Sequence, residues 1–212
     1  MNKSSINRLS RYKNSLYRMR HLGFVKVFSD NLADAVGVTA AQVRKDFSLF
    51  GLTGNKRGGY QVENLIEKLN ALLGKNQLQK VIIVGLGKIG AALMNYSGFE
   101  KEGIRIVAAF EIDPVLFDRQ GEVPVLPLDE LKAFVKEHEI RIGIIATPDN
   151  AAQQVLEMLV EAGIKGVLNF APIRLRVPAA CVIQSVDLGR ELEKIIYFVN
   201  AGGNGVEEAS LV

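Results

Sequence analysis

The chain has 212 residues, 48% hydrophobic and 23% charged, the composition of a globular protein of one or two domains. No apolar run approaches the ~20 residues of a membrane span, and the basic start MNKSSINRLSRYK lacks the apolar core of a signal peptide. One cysteine, Cys181, and two distant histidines, His21 and His138, leave no disulfide framework or metal cluster, so the expectation is a cytoplasmic protein with neither metal nor membrane partner.

The net charge of +3 is unevenly spread: residues 1–75 carry 13 Lys/Arg and 5 Asp/Glu, and the remainder carries 13 and 18. A basic first part suits a polyanion such as nucleic acid; an acidic protein partner is the alternative. In chain order, Leu9, Tyr12, Leu16 and Met19 share one face of a helix, with Arg8, Arg11 and Arg18 opposite and Gly23 as its stop. A second short helix runs from about Asn31 to Val36, with Ser29 or Asp30 near its cap and Gly37 at its end. A third begins after Thr39, whose spacing to Gln42 is that of a capping box. Val43, Phe47 and Phe50 face inward on it, Gln42 and Lys45 outward, Arg44 and Ser48 on the flank, and Gly51 stops it. LTGNKRGGYQV follows, and a fourth helix spans about Glu63 to Leu73. Short helices joined by a tight turn, the last with outward Gln, Arg and Lys, make a helix-turn-helix pattern, and the glycine-rich basic hairpin would be its wing. A helical dimerisation domain with a solvated basic face is the alternative.

After a polar joint at residues 75–79, strand-like runs (Val81–Val84, Ile106–Phe110, Ile142–Ala146, Gly166–Asn169, Val182–Gln184) alternate with helix-like runs (Ile89–Tyr96, Leu128–Glu137, Ala151–Ala162, Leu188–Val199). Apolar strands between helices mean a parallel sheet covered on both faces. The segment Gly85-Leu86-Gly87-Lys88-Ile89-Gly90 follows the first strand and opens a helix. In a dinucleotide fold its three glycines allow the turn, the approach of backbone N–H groups to a pyrophosphate, and close helix packing. Glu111, 21 positions after Gly90, stands where a carboxylate holds the adenosine ribose; Asp113 is the nearby alternative. Coenzyme A is a second ligand such a module takes. No Ser/His/Asp, Cys/His or Tyr-x-x-x-Lys set accompanies the loop, which favours a sensor over an enzyme. Cys181 reads as a small core residue. The expected architecture is α/β: a winged helix-turn-helix domain (residues 1–76), a Rossmann-like parallel-sheet domain (77–186), a last helix (187–201) and a mobile tail (202–212).

These segments together resemble the Rex family of redox-sensing transcriptional repressors. TAAQVRKDFSLFG (Thr39–Gly51) is similar to its recognition helix, GNKRGGY (Gly54–Tyr60) to its wing and GLGKIG to its dinucleotide loop, while AGIKGVLNFAP (Ala162–Pro172) and SVDLGRELEKIIYFVN (Ser185–Asn200) are specific to it. The resemblance implies a homodimer that exchanges its last helix, binds palindromic double-stranded operator DNA of the type TTGTGAA…TTCACAA, and lets go when NADH binds; NAD⁺ competes without release, and neither is consumed. It assigns Arg8, Gln42, Arg44, Lys45, Lys56, Arg57, Gly58 and Gly59 to DNA. The residues Gly85, Leu86, Gly87, Lys88, Ile89, Gly90, Glu111, Asp113, Thr147, Pro148, Asn169, Phe170 and Pro172 go to the dinucleotide. Asn14, Tyr96 and Asp187 are assigned to coupling between the two. There are three departures from the family pattern: Glu111 replaces a usual Asp, the basic pair of the wing is shifted by one, and Asn14 replaces a frequent Arg. The alternatives are an NAD-dependent oxidoreductase with an accessory helical domain, and a Rex-like DNA-binding protein with altered ligand response.

Overall fold

The computed structural model describes residues 3–54 and 58–201. The chain divides into two compact units, with the boundary between Gln77 and Leu78.

The first unit is assembled from amphipathic helices. Leu9, Tyr12 and Leu16 of α1 (Lys3–His21) are buried, and α1 gives way to a turn in which Gly23 takes φ +84°. They join Leu32, Ala33 and Val36 of α2 (Ser29–Val36), Val43 and Phe47 of α3 (Ala40–Leu49), and Leu65, Ile66 and Leu69 of α4 (Val62–Leu72) in one core. Helix α2 begins two residues earlier than its pattern suggests. Its cap position is Phe28, whose N–H is taken by the Asn31 side chain at 2.8 Å, so the capping group comes from inside the helix. Thr39 caps α3, its hydroxyl accepting the Gln42 N–H at 3.1 Å. The Gln42 side chain does not complete a capping box; it turns to Asp46. Strands β1 (Lys26–Val27) and β2 (Tyr60–Gln61) pair antiparallel, Lys26 opposite Gln61 and Val27 opposite Tyr60. Among the described residues, the strand after the glycine-rich loop therefore pairs with the segment before α2, and residues 52–54 ahead of the loop are not in a strand. Lys56 and Arg57 lie outside the described residues, as does the expected tail at 202–212.

The second unit is a six-stranded parallel sheet built from β3 (Gln79–Val84), β4 (Ile104–Glu111), β5 (Val125–Pro127), β6 (Ile142–Ile145), β7 (Gly166–Asn169) and β8 (Val182–Ser185). Their order is β5-β4-β3-β6-β7-β8, the doubly wound order of a Rossmann sheet. Alternate residues serve opposite faces, as the pleat demands. Ile82 and Val84 pack with Phe110 against α7 (Leu131–Glu137) and α8 (Asp149–Ala162). Val81 and Ile83 pack with Ile106 and Ile144 on the other face, beneath α5 (Lys88–Met94) and α6 (Gly98–Lys101). Cys181 is buried in the first of these cores. The last helix, α9 (Leu188–Asn200), carries a strong apolar stripe, yet none of its residues is buried.

Candidate functional site

Chain order reverses between β3 and β6, and ligands of doubly wound sheets bind in the crevice at the carboxyl ends of such strands. Here that crevice holds the turn Gly85–Gly90. Gly85 takes φ +93°, and a Cβ on it would meet the Ala146 backbone and Thr147 Cγ2 at 2.9 Å. A Cβ on Gly90 would lie 1.9 Å from the Gly85 carbonyl oxygen, so α5 packs against the turn only because that position is glycine. Gly87, at the cap of α5, faces open space, with nothing within 4 Å of such a Cβ. Gly85 thus takes the turn and Gly90 the close packing, while Gly87 leaves the open space that a pyrophosphate would need.

A cavity of about 430 Å³ opens there, lined by Gly85, Gly87, Lys88, Ile89, Glu111, Ile112, Thr147 and Pro148 among others. Glu111, at the end of β4, accepts the Leu86 N–H at 2.7 Å with Oε2 and the Ile112 and Asp113 N–H groups at 2.7 and 3.3 Å with Oε1. Leu86 itself packs toward the core beneath α5. Thr147 Oγ1 is buried and has no hydrogen-bond partner, an orphan that a polar ligand would satisfy. An open cradle at Gly87, a carboxylate beside it and an unsatisfied hydroxyl fit a dinucleotide.

Other expected pocket residues stand elsewhere. Asp113 caps a short 3₁₀ turn at Pro114–Leu116, its Oδ1 accepting the Val115 N–H at 3.0 Å, so Glu111 rather than Asp113 is the cavity's carboxylate. Asn169 is fully buried at the end of β7. Its amide accepts the Ala171 N–H at 3.0 Å and donates to the Ala171 carbonyl and to Ser185 Oγ at 3.1 and 3.3 Å. It pins the following loop, and neither it, Phe170 nor Pro172 is among the residues lining this cavity.

In the first unit, Arg44 and Lys45 are exposed on α3 and Gln42 is half-buried. Arg8 does not join an outward basic face: its guanidinium grips Asp46 of α3 at 2.6 and 2.7 Å, and Arg11 donates to the Val36 carbonyl at 2.6 Å. The sequence reading missed Asp46, whose one visible signal is an acid in the middle of a basic helix. It also receives the Tyr12 hydroxyl at 3.0 Å and Gln42 Nε2 at 2.9 Å. Burial pushes the Asp46 carboxyl up, but the hydrogen bonds from Arg8, Tyr12 and Gln42 outweigh it and hold it below its ordinary value. Burial and the bond to Asp46 both push the Tyr12 phenol up. Gly59 takes φ +65° as the chain returns into β2, where a Cβ would meet the Val27 carbonyl at 2.5 Å; Gly58 sits in the turn before it.

Comparison with known proteins agrees with both halves. A "Putative DNA-binding protein N-terminus" family model matches residues 2–48, and a "CoA binding domain" model matches residues 76–173. The redox-sensing transcriptional repressor Rex of Carboxydothermus hydrogenoformans is 42% identical over 92% of this chain and 94% of its own. That of Lactobacillus gasseri is 40% identical over 94% of each. The chain belongs to the Rex family of redox-sensing transcriptional repressors. Among solved structures, the Rex-family repressor RSP in complex with β-NAD⁺ and operator DNA is similar at TM-score 0.89 and 35% identity, covering 95% of this chain and 93% of that one. RSP in complex with β-NADH is similar at 0.82.

The residues that the Rex resemblance couples are placed as follows. Asn14 is exposed on α1 in the first unit. In the second, Tyr96 is exposed and packs edge-on against Phe99 at 5.1 Å, and Asp187 caps α9 by accepting the Arg190 N–H at 3.1 Å. Among the described residues, no helix is long and apolar enough to cross a membrane, and no group of three His, Cys, Asp or Glu could hold a metal.

Proposed function

We propose that this chain is a homodimeric transcriptional repressor that binds a palindromic operator through α3 and the wing, and leaves it when NADH occupies the cavity at Gly85–Gly90. The observation that carries the reading is that one chain combines a helix-turn-helix unit with a Rossmann cavity whose cradle, carboxylate and orphan hydroxyl suit a dinucleotide. Its Rex relatives are named as redox-sensing repressors, and its structural relative RSP is described with β-NAD⁺, β-NADH and operator DNA.

Gly85, Gly87, Lys88 and Ile89 would receive the pyrophosphate, Glu111 the adenosine ribose, and Thr147 and Pro148 the wall beside it. The ligand supplies the redox state that is read; the protein supplies a difference in affinity between its DNA-bound and free forms, the quantity that makes a switch. We read the chain as a regulator, as its Rex relatives are named, rather than as an enzyme. A cytoplasmic location goes with this reading, since the operator would lie on cellular DNA. A dimer is supported by the exposed stripe of α9, which includes Leu188, Leu192, Ile195, Ile196 and Val199.

The test is fluorescence anisotropy of a labelled TTGTGAA…TTCACAA duplex at one salt concentration, since phosphate contacts make affinity salt-dependent. NADH should reverse binding at concentrations where NAD⁺ and coenzyme A do not. Release by coenzyme A alone would move the reading to the ligand that the second family model names. No binding, together with hydride transfer to small carbonyl substrates, would replace the repressor with an oxidoreductase. Asn14→Arg should sharpen the release by NADH; an unchanged titration would take Asn14 out of the coupling.

A further inference from the structure

Asp46 sits on the helix assigned to the major groove, yet its side chain is only 2% exposed. Oδ2 accepts Arg8 Nε and the Tyr12 hydroxyl; Oδ1 accepts the second Arg8 nitrogen and Gln42 Nε2. Four donors use the four lone-pair directions of the carboxylate. Arg8 and Tyr12 belong to α1, so the anchor is fixed from a second helix and does not move with the Gln42 side chain.

A glutamine amide is ordinarily reversible. Rotated one way it leads with an acceptor, the other way with donors, so by itself it suits more than one base edge. Gln42 lacks this freedom. A carboxylate can only accept, so the end facing Asp46 must be the NH₂ group, and inversion would set Oε1 against Asp46 Oδ1 at the 2.9 Å now spanned by a hydrogen bond. What the anchored amide has left to offer is Oε1 as an acceptor, with its second N–H beside it.

We infer that Asp46 is a positioning residue for sequence readout: it fixes the amide of Gln42 so that its oxygen selects a base offering an amine in the major groove, adenine N6 or cytosine N4. Guanine and thymine present only acceptors on that edge and give the oxygen no partner. This rests on the repressor reading above and adds to it the direction of one base contact and the residue that sets it. Arg44 and Lys45, which only donate, cannot supply this preference.

The test uses the full-length protein and operator duplexes in which each adenine of the half-site is replaced in turn by 2-aminopurine, which moves the amine to the minor groove. Each cytosine is likewise replaced by 2-pyrimidinone, which removes it. One replacement per half-site should weaken wild-type binding about tenfold, and Gln42→Ala should erase that penalty at the same position and at no other. Asp46→Asn, which can donate as well as accept, lets the Gln42 amide invert, and the penalty there should fall to about twofold while penalties elsewhere persist. A merely structural Asp46 would weaken every duplex alike and leave the ratios as in wild type, which would overturn the inference. So would identical penalties in wild type and Gln42→Ala, an arm that stands even if Asp46→Asn fails to fold, since Gln42 is outside the buried core. Failure of wild type to bind the unmodified duplex would instead overturn the repressor reading, and this inference with it.

Discussion

The Glu111 carboxylate accepts the Leu86 backbone N–H at 2.7 Å, tying the end of β4 to the glycine turn after β3, 25 residues earlier in the chain. Its other oxygen takes the Ile112 and Asp113 N–H groups, so the acid is held by the loops it lies between. The extra methylene of Glu over Asp therefore does not leave the group loose: the carboxylate is already placed before any ribose arrives. Glu111→Ala removes both the ribose acceptor and the brace on the turn. NADH affinity, read by nicotinamide fluorescence, should fall by about 10- to 100-fold, the worth of charge-assisted hydrogen bonds. Discrimination against NADPH should fall with it, because a 2′-phosphate no longer meets a negative charge. Undiminished affinity would move the ribose to Asp113.

Gly87 and Gly90 separate binding from folding. A methyl at Gly90 meets the Gly85 carbonyl oxygen at 1.9 Å, so α5 must back away from the turn. Gly90→Ala should destabilise the second unit by about 1–3 kcal/mol, the usual cost of overpacking, and impair NADH binding as well. A methyl at Gly87 meets nothing, and its φ of −61° is ordinary for alanine. Gly87→Ala should leave thermal unfolding unchanged while weakening NADH, because the methyl occupies the space where the pyrophosphate would approach. Equal loss of stability in both variants would contradict this assignment of roles.

That contrast was legible in the sequence because each glycine is fixed by local geometry: a strand, a turn and a helix within a few residues. The same holds for the burial of Leu9, Tyr12, Val43 and Phe47, which periodicity alone reveals. What escaped was long-range or very short. Arg8 shows the helical spacing of an outward residue, but Asp46 lies 38 positions away and only the folded α1–α3 contact brings the two together. Asn169 stands at a strand end, where pocket residues gather, yet its amide closes the loop to Ala171 and it does not line the cavity at Gly85–Gly90. Asp113 has the same carboxylate as a ribose ligand, but Pro114 starts a turn that claims it. The three residues of β5 and four of α6 are too short for a period to register.

Arg8 and Asp46 also set an acid limit on the first unit. Asp46 is 2% exposed and Arg8 19%, so removing the guanidinium leaves a buried charge held only by Tyr12 and Gln42. Arg8→Ala should cost about 3 kcal/mol at pH 7. The sign of the pH dependence follows from the depressed carboxyl of Asp46. A carboxylate whose folded value lies below its unfolded one, near 3.9, stabilises above that range, and the contribution is lost as pH falls through the folded value. In Arg8→Ala burial is less opposed, so its Asp46 takes up a proton earlier. The difference between wild type and variant should therefore shrink on acidification and close once the wild-type carboxyl is also protonated. Hydrogen exchange of the α3 amides at pH 7 and pH 3 measures it, and a pH-independent difference would assign the loss to packing of the Arg8 stem.

The proposed dimer rests on the last helix. Leu192 and Ile196 are 59% and 55% exposed and one turn apart on α9, and Ile195 lies beside them at 46%. Such a face costs free energy in water at roughly 25 cal/mol per Å² of apolar surface, and a second copy of the chain presents the same face. Replacing Leu192 and Ile196 together by Glu places two charges in that stripe without touching the sheet core, since no residue of α9 is buried within the chain. Light scattering should then report a monomer that retains the thermal transition of the second unit. Operator binding should fall by about 10²-fold or more, because two half-sites are no longer engaged by one linked molecule. A single half-site duplex should be bound about as well as by wild type. If the double variant stays dimeric and holds the full operator unchanged, the dimer is built from another surface and the exposed stripe of α9 has a different occupant.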